Sequence, residues 1–310
     1  MSRSLVVLPD DSARPILDAI NHASRSLRIK MFVFSDPATL QAVIAAHKRG
    51  VDVRVMLNPA RRSGESENED SRKLLVSAGI NVLDSNPAFD LTHEKSMVVD
   101  DEVAFVMSFN WESRDLTETR DYAVVTSAHH EVAEVMECFD ADWSRKPFTP
   151  GDHSHLIWCV GNGRQRIGKF IDEAKHTLWL QNERYQDPVI IERLVRARER
   201  GVKVHVMARP AHKLKGLKLH AKLLLADNVR GIVGSINLAP GSFDSRRECA
   251  IEVRDEDVVG RLHEVTHADW KNSHPLDLTD EGLLAELEDY DKNAAEDLAL
   301  ENHNGKHEKR

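Results

Sequence analysis

The order of apolar and polar positions predicts alternating strands and helices from the start of the chain. Residues 4–8 form a short β-rich run, and apolar residues at helical spacing follow at positions 16, 17, 20 and 23. Residues 27–34 alternate apolar with basic side chains and then become fully apolar, which is typical of a strand. A helix over 38–48 and a strand over 51–57 complete a strand, helix, strand unit. An α/β fold is therefore predicted.

The same order of elements returns after residue 150. Strands are predicted over 156–160, 177–181 and 202–207, with helices over about 164–175 and up to about 200. The run Gly-Val-Asp-Val-Arg-Val-Met-Leu-Asn-Pro that begins at Gly50 aligns with the run that begins at Gly201, an offset of 151 residues. This pattern indicates an internal duplication.

A second alignment relates the later parts of the two copies. His93 aligns with His220 at an offset of 127, and the match continues without a gap to Trp143 and Trp270. Because 151 minus 127 is 24, the first copy has 24 additional residues before His93. They predict a polar loop over 60–70, a helix over 73–78 and a short strand over 80–83.

The repeat and the turn-forming residues together predict the domain boundaries. Two prolines and a glycine at 147–151 interrupt both kinds of regular structure and indicate a linker. The predicted first half spans 1–146 and the second spans 152–274. Residues 275–310 are strongly charged and predict an appended tail, with a helical piece near 283–287.

Five polar residues occur at identical spacing in both copies. In each copy, a buried strand follows the histidine and lysine, the aspartate lies in a turn, and a returning strand brings the serine and asparagine beside them. A histidine and a lysine two positions apart are expected to point to one face of a strand. One such pair occurs by chance, but two complete copies favour two halves of one site. The residues are His93, Lys95, Asp100, Ser108 and Asn110, and His220, Lys222, Asp227, Ser235 and Asn237.

Composition limits the classes of protein that remain. With 310 residues, 41% hydrophobic and 30% charged, the chain is globular, and the separated cysteines Cys138, Cys159 and Cys249 predict buried thiols. A net charge of -9 weighs against a surface that binds polyanions throughout, although a local basic patch still could. No apolar run reaches the roughly 18 residues of a membrane span. A cytoplasmic protein is predicted, with transient contact at the inner membrane face as a further expectation.

The repeated pattern HxK-x4-D-x6-GSxN resembles the signature of the phospholipase D superfamily. The resemblance extends to about residue 272, and Met107 departs from it where the family has glycine. It implies two similar halves, each a mixed β-sheet flanked by helices, packed with pseudo-two-fold symmetry around one active site. It also implies that neither metal nor cofactor is needed, because the two lysines and the asparagines can hold the phosphate oxygens.

The resemblance further implies a division of roles between the histidines. His93 is expected to attack phosphorus and form a phosphohistidine, while His220 acts as general acid and base. An acidic residue beyond the motif orients each histidine in the family. Asp121 and Glu248 fit this role, since each lies 13 residues after its motif serine, although glutamate is commoner than aspartate at the first position.

The remaining polar residues of the motifs are assigned supporting roles. Asp100 and Asp227 are expected to stabilise the hairpin turns, because they lie one strand length from the histidines. Ser108 and Ser235 are expected to contact either the phosphate oxygens or the orienting carboxylates.

Three functions remain compatible with the sequence. The first is a phosphodiesterase or phosphatidyltransferase acting on a phospholipid, as in phospholipase D or cardiolipin synthase. The second is a metal-independent endonuclease for DNA or RNA, for which the lysines at 213, 215 and 218 offer a basic run. The third is an inactive phosphate-binding module, which the intact motifs disfavour. For the lipid function, membrane contact and core packing are the alternatives for Trp111, Phe148, Trp158 and Phe243.

Overall fold

Two mixed β-sheets, each flanked by helices, form the protein in a computed structural model that describes residues 3–59, 66–151, 154–208, 213–214 and 217–274. The predicted fold class is confirmed. Both alignments of the repeat relate equivalent elements of the two sheets, so the duplication in sequence is a duplication in structure.

The first half contains eight strands and five helices over the part that is described. The strands are β1 (Arg3–Leu8), β2 (Ser26–Met31), β3 (Asp52–Leu57), β4 (Asn81–Asp84), β5 (Leu91–Thr92), β6 (Ser96–Val99), β7 (Val103–Met107) and β8 (Thr119–Thr126). The helices are α1 (Arg14–His22), α2 (Pro37–Lys48), α3 (Glu69–Ser77), α4 (Ser113–Thr117) and α5 (His129–Trp143).

The second half repeats this order of elements. Its described strands are β9 (Leu156–Cys159), β10 (Thr177–Asn182), β11 (Lys203–Ala208), β12 (Lys213–Leu214), β13 (Lys218–Leu219), β14 (Leu223–Ala226), β15 (Arg230–Gly234), β16 (Arg246–Val253) and β17 (Ser273–His274). Its helices are α6 (Gly163–Asp172), α7 (Pro188–Glu199), α8 (Pro240–Asp244) and α9 (Glu256–Asn272).

Equivalent helices begin with the same local chemistry. The Asp36 carboxylate accepts a hydrogen bond from the Thr39 N–H at 2.9 Å, and the Asp187 carboxylate accepts one from the Ile190 N–H at 3.0 Å. A proline follows each aspartate and already has the φ angle of a first helical residue. The sequence Asp-Pro therefore starts both α2 and α7 next to the strands that lead to the site.

Each half contributes one short strand to the sheet of the other half. The first sheet has the order β1-β8-β7-β6-β2-β3-β4, and the second runs β11-β10-β14-β15-β16 with β9 beside β16. Strand β5 pairs parallel with β16 of the second half, and β13 pairs parallel with β8 of the first. An apolar core that includes Val98, Tyr122, Leu223 and Cys249 fills the space between the halves. The halves are thus joined by backbone hydrogen bonds as well as by apolar packing.

The additional segment of the first half differs in detail from its prediction. Helix α3 begins at Glu69, so Glu69 and Asp70 lie in its first turn, where acidic side chains complement the helix dipole, and not in a loop. Strand β4 extends the first sheet beyond β3. Residues 60–65 and the tail at 275–310, with the predicted helical piece near 283–287, lie outside the described residues.

The aromatic residues considered for membrane contact belong to the core. Trp111, Trp158 and Phe243 are buried, and half-buried Phe148 packs edge-on against Trp158 with ring centroids 5.1 Å apart. The membrane-contact interpretation is therefore wrong for the three buried residues. The cysteine thiols are free and buried, as predicted. Within the described ranges, no helix has the length and apolar character that a membrane span needs.

Candidate active site

The histidine and lysine of each motif lie where the chain crosses from one sheet to the other. His93 and Lys95 occupy the segment between β5 and β6, and His220 and Lys222 occupy the equivalent segment before β14. The expectation that each pair shares one face of a strand is thus wrong, because both residues precede the strand. The His93 N–H donates to the carbonyl oxygen of Arg247 at 2.9 Å, so the backbone of the opposite half fixes this crossing.

The motif aspartates lie in the hairpin turns and bind backbone. Asp100 and Asp227 have φ angles of 54° and 55°, a left-handed conformation that aspartate and asparagine adopt more readily than most residues. The Asp100 carboxylate accepts hydrogen bonds from the backbone N–H groups of residues 24–26. The Asp227 carboxylate does the same for residues 175–177. Both side chains therefore hold a hairpin against the start of a central strand.

Each orienting carboxylate comes from the half opposite to that of its histidine. Nδ1 of His93 lies 2.9 Å from Oε2 of Glu248, and Nδ1 of His220 lies 3.0 Å from Oδ2 of Asp121. The sequence predicted both acids as partners, and the structure adds that each serves the histidine of the other half. A carboxylate at Nδ1 keeps a proton on that nitrogen, so Nε2 is the atom that faces the site.

His93 is held in its neutral form. Burial, reinforced by the nearby ammonium groups of Lys95 and Lys222, lowers the pKa of His93 to about 3. The Glu248 carboxylate opposes this shift without reversing it. With a proton on Nδ1 for Glu248, a neutral His93 has a free electron pair on Nε2, which is the requirement for a nucleophile.

The surroundings of His220 favour its protonated form. Burial is the largest single influence on the pKa of His220 and lowers it, and the Asp121 carboxylate opposes burial most strongly. Glu183 and Asp115 add to it, against Lys222, so the net shift of the His220 pKa is upward. Oε2 of Glu183 lies 3.8 Å from Nε2 of His220. A protonated Nε2 can donate to a leaving oxygen, so the two histidines have opposite proton states.

The lysines lie close enough to influence each other. Lys95 Nζ donates to the carbonyl oxygen of His93 at 2.6 Å, and Lys222 makes the equivalent bond to His220. Burial and the positive charge of Lys222 lower the pKa of Lys95 to about 7. An anion bound between the two ammonium groups would oppose both effects and raise the pKa of Lys95 again. The pair is thus arranged for a negatively charged ligand.

The asparagines and serines of the two motifs differ in their partners. Asn110 Nδ2 donates to Asp115 at 3.0 Å, whereas Oδ1 of Asn237 is buried without a hydrogen-bond partner among the described residues. Ser108 donates to Oδ1 of Asp121 at 2.5 Å, and the Ser235 hydroxyl helps to hold the pKa of Glu248 low against burial. Of the two roles considered for the serines, the structure places Ser108 against the orienting carboxylate.

Sequence reasoning missed two carboxylates of the site. Glu183 follows strand β10 directly and lies 3.0 Å from Lys222 Nζ, and Asp115 lies 3.9 Å from Nδ1 of His220. The repeat offers a signal for both, because Glu183 aligns with Phe32 and Asp115 aligns with Ser242. At each of these positions one copy has a carboxylate and the other has an uncharged residue. This difference between the copies would have marked both positions.

A group of potential metal ligands lies directly behind the first motif. Glu94, Cys138 and Asp142 place one ligand atom each within 4.8 Å of one another. Lys30 Nζ already binds all three, at 2.9 Å from Glu94, 2.8 Å from Asp142 and 3.4 Å from Cys138. A metal ion would have to displace this ammonium group.

A second group of potential ligands lies between the two halves and has one exposed, one half-buried and one buried member. His130, Glu131 and His155 satisfy the same distance condition. The Glu131 carboxylate is engaged by the guanidinium group of Arg3 and by the Thr126 hydroxyl at 2.6 Å. The oxygens of this buried carboxylate are thus already engaged by neighbouring side chains.

Two buried ion pairs join the halves behind the histidines. Arg120 Nε lies 2.9 Å from Asp269, and Arg247 Nη2 lies 3.0 Å from Asp142. Each arginine directly precedes an orienting carboxylate in the sequence, and each binds an aspartate on a helix of the other half. The positions of the carboxylates therefore depend on the contact between halves.

Comparisons with known proteins agree with this architecture. A family model described as "Cardiolipin synthase, PLD-like domain" matches residues 16–143 and 210–270, which include both motifs. Human mitochondrial cardiolipin hydrolase is 31% identical over 146 residues, which cover 45% of this chain and 56% of that protein. The chain spans about half the length of the curated relatives it matches.

Solved structures with the same fold share little sequence. Phosphatidylserine synthase from Haemophilus influenzae matches with a TM-score of 0.70 at 10% identity, over 95% of this chain and 94% of that one. Polyphosphate kinase from Porphyromonas gingivalis matches with a TM-score of 0.74 at 16% identity, over 89% of this chain and 48% of that one. At these identities the matches establish the fold alone.

Proposed function

The chain belongs to the phospholipase D-like family described as "Cardiolipin synthase, PLD-like domain", and from this premise we propose that it is a phosphodiesterase or phosphatidyltransferase that acts on a phospholipid. The reaction proceeds through a covalent phosphohistidine at His93. The phosphatidyl group then passes to water or to an acceptor alcohol.

The opposite proton states of the two histidines carry this proposal. A buried His93 with a low pKa offers an electron pair at neutral pH, and a His220 with a raised pKa offers a proton. Their orienting carboxylates hold the reactive Nε2 atoms toward one space that also contains both lysines. This arrangement is what a displacement at phosphorus with an alcohol leaving group needs.

The proposed reaction has two steps. Nε2 of His93 attacks phosphorus, the bond from phosphorus to the leaving oxygen breaks, and that oxygen takes the proton of His220 Nε2. Neutral His220 then removes a proton from water or an alcohol, whose oxygen attacks phosphorus and releases His93. The lysines stabilise the negative oxygens in both steps.

A lipid is favoured over a nucleic acid by the relatives and by the charge of the chain. The family description and human mitochondrial cardiolipin hydrolase both name a phospholipid. The net charge of -9 opposes tracking of a long polyanion. Contact with a membrane surface is part of this proposal, because the substrate is held in a bilayer.

Incubation with defined substrates tests the proposal. The protein is incubated in EDTA with vesicles of phosphatidylglycerol, cardiolipin or phosphatidylcholine, and separately with single-stranded and double-stranded DNA and with RNA. We expect release of phosphatidate or formation of a new phosphatidyl ester, and no cleavage of nucleic acid. His93→Ala and His220→Ala proteins are the controls for contaminating activity. Cleavage of nucleic acid without cleavage of lipid would show an endonuclease, and binding without cleavage would show a phosphate-binding module.

A further inference from the structure

Positions 32 and 183 are equivalent in the repeat and carry opposite chemistry. Phe32 directly follows the central strand β2, and Glu183 directly follows the equivalent strand β10. The ring of Phe32 contacts the ring of His93 edge-on, with centroids 4.9 Å apart, and lies 5.0 Å from Lys95 Nζ. Glu183 has the equivalent place beside His220 and Lys222. An aromatic ring thus faces one half-site and a carboxylate faces the other.

The other neighbours of the two histidines are more alike. Each histidine has one buried carboxylate at Nδ1, and each precedes a lysine by two residues. Asp115 is a further difference, but it lies at the Nδ1 side of His220, 3.9 Å away, where Asp121 already binds. Glu183 lies at Nε2, the nitrogen that faces the reacting group.

The charges around the two histidines differ accordingly. Those facing His220 are the carboxylates of Asp121, Glu183 and Asp115 and the ammonium group of Lys222. Those facing His93 are the carboxylate of Glu248 and the ammonium groups of Lys95 and Lys222. The uncharged ring of Phe32 supplies no formal charge to stabilise an imidazolium, whereas a carboxylate 3.8 Å from a nitrogen does.

We propose that Glu183 is the positioning residue that keeps His220 protonated at Nε2, and that the contrast between Glu183 and Phe32 thereby decides which histidine attacks phosphorus. This inference rests on the proposed two-histidine reaction and assigns the roles within it. His93 attacks because it is neutral beside Phe32, and His220 donates because it is charged beside Glu183. Exchange of the two residues should exchange the roles.

The first measurement is independent of turnover. The Cε1 resonance of His220 in 13C-labelled protein is identified by its loss in His220→Ala and is titrated in wild type, Glu183→Gln and Glu183→Asp. We expect Glu183→Gln to lower the ratio of protonated to neutral His220 at a given pH by about tenfold, and Glu183→Asp to restore most of it. Glu102→Gln, which removes an exposed carboxylate in the β6–β7 turn, is the matched control and should leave the titration unchanged.

The second measurement locates the covalent intermediate. Wild type, Glu183→Gln and the exchanged variant Phe32→Glu/Glu183→Phe react with bis(4-nitrophenyl) phosphate, and the labelled histidine is identified by mass spectrometry of peptides. We expect the label on His93 in wild type and on His220 in the exchanged variant. Label that remains on His93 alone in a folded exchanged variant would overturn the proposal.

The two measurements separate this inference from the proposed function. Absence of label from both histidines in wild type would contradict the phosphohistidine reaction, while the titration would still decide whether Glu183 controls His220. An unchanged titration in Glu183→Gln would overturn the role of Glu183, whatever the label shows. If the exchanged variant does not fold, the titration of Glu183→Gln alone decides.

Discussion

His93 and His220 have equivalent places in the two halves, yet Phe32 lies against one and Glu183 against the other. The histidines, lysines, serines and asparagines of the motifs are the same in both copies, and the differences lie among the residues that surround them. A symmetric pair of histidines can share one proton, but only a difference in their surroundings fixes which of the two carries it. The comparison shows where this duplicated site departs from symmetry, namely in groups that do not react but set the proton state of those that do.

A second difference lies behind the site. Asp142 is paired with both Lys30 and Arg247, which against burial lower its pKa to about 2. Asp269 is the equivalent of Asp142 in the second half and is paired with Arg120. It also accepts a hydrogen bond from Gln181, the counterpart of Lys30. Burial raises the pKa of Asp269. Asp142 therefore has two cationic partners, of which Lys30 lies in its own half and Arg247 in the other, whereas Asp269 is paired with Arg120 of the other half.

The largest expected effect is the loss of either histidine. His93→Ala and His220→Ala should each reduce hydrolysis of a phospholipid by about 10³-fold or more, because each step of the reaction needs both groups. With bis(4-nitrophenyl) phosphate, whose leaving group needs little protonation, the two should differ. His220→Ala should still accumulate phosphohistidine and His93→Ala should not, as measured by rapid quench. Equal labelling of both would contradict the division of roles.

Removal of either orienting carboxylate should have a smaller effect on activity. The two removals should also differ in their effect on the pH dependence, because each acts on a different histidine. Asp121→Asn and Glu248→Gln should each reduce kcat by about 10-fold to 100-fold, as is typical when the group that orients a histidine is lost. Asp121 raises the pKa of His220, so Asp121→Asn should shift the alkaline limb of kcat/KM to lower pH. Glu248→Gln should leave that limb in place. A pH profile of each variant measures this, and equal shifts would contradict it.

The interface pairs should differ in their contribution to stability. Arg120→Met leaves Asp269 buried without its ion-pair partner and should reduce the free energy of unfolding at pH 7 by about 3–5 kcal/mol. Arg247→Met should cost less, because Lys30 still binds Asp142. Urea unfolding measures both.

The pH dependence of this loss provides a control. The Asp269 pKa is already raised by burial, and removal of Arg120 should raise it further, so at low pH the carboxyl is neutral and needs no partner. The loss caused by Arg120→Met should therefore shrink as pH falls toward 5. Arg25→Met, at an exposed ion pair with Glu102, should change stability little at either pH.

The smallest effect is expected at the turn aspartates, where the halves agree. Asp100→Asn and Asp227→Asn remove a carboxylate that binds several backbone N–H groups, while asparagine still tolerates the positive φ angle. Each should reduce the free energy of unfolding by about 1–2 kcal/mol and leave kcat/KM within about twofold of wild type. Thermal unfolding and a vesicle assay measure the two quantities. A large loss of activity in a folded variant would contradict the structural role.

The fold and the reacting residues could be predicted because each copy of the repeat is a continuous stretch of sequence that can be aligned with the other copy. The alignment of Gly50 with Gly201 gave the order of elements, and that of His93 with His220 gave the motifs. It also indicated Asp121 and Glu248, since their spacing from the motif serines is equal.

The partners of these acids could not be predicted in the same way. An alignment of two copies shows that Asp121 and Glu248 are equivalent, but not that each binds the histidine of the other half. That exchange depends on β5 and β13, which are two residues long and pair with strands distant in sequence, so no periodicity marks them. Glu183 was missed for a related reason, because a carboxylate after a strand resembles any solvated turn until its neighbours are placed.

The exchanged strands have a consequence for fragments of the protein. A half expressed by itself would expose the edge of β8 or of β16, where the short strand of the other half normally pairs. Two copies of the first half could complete each other's sheets, but both histidines of such a dimer would then lie beside Phe32, and nothing in their surroundings would distinguish the histidine that attacks from the one that donates a proton. Catalysis from separated halves should therefore be fastest when both kinds of fragment meet in one complex, and its rate should rise with the product of their concentrations.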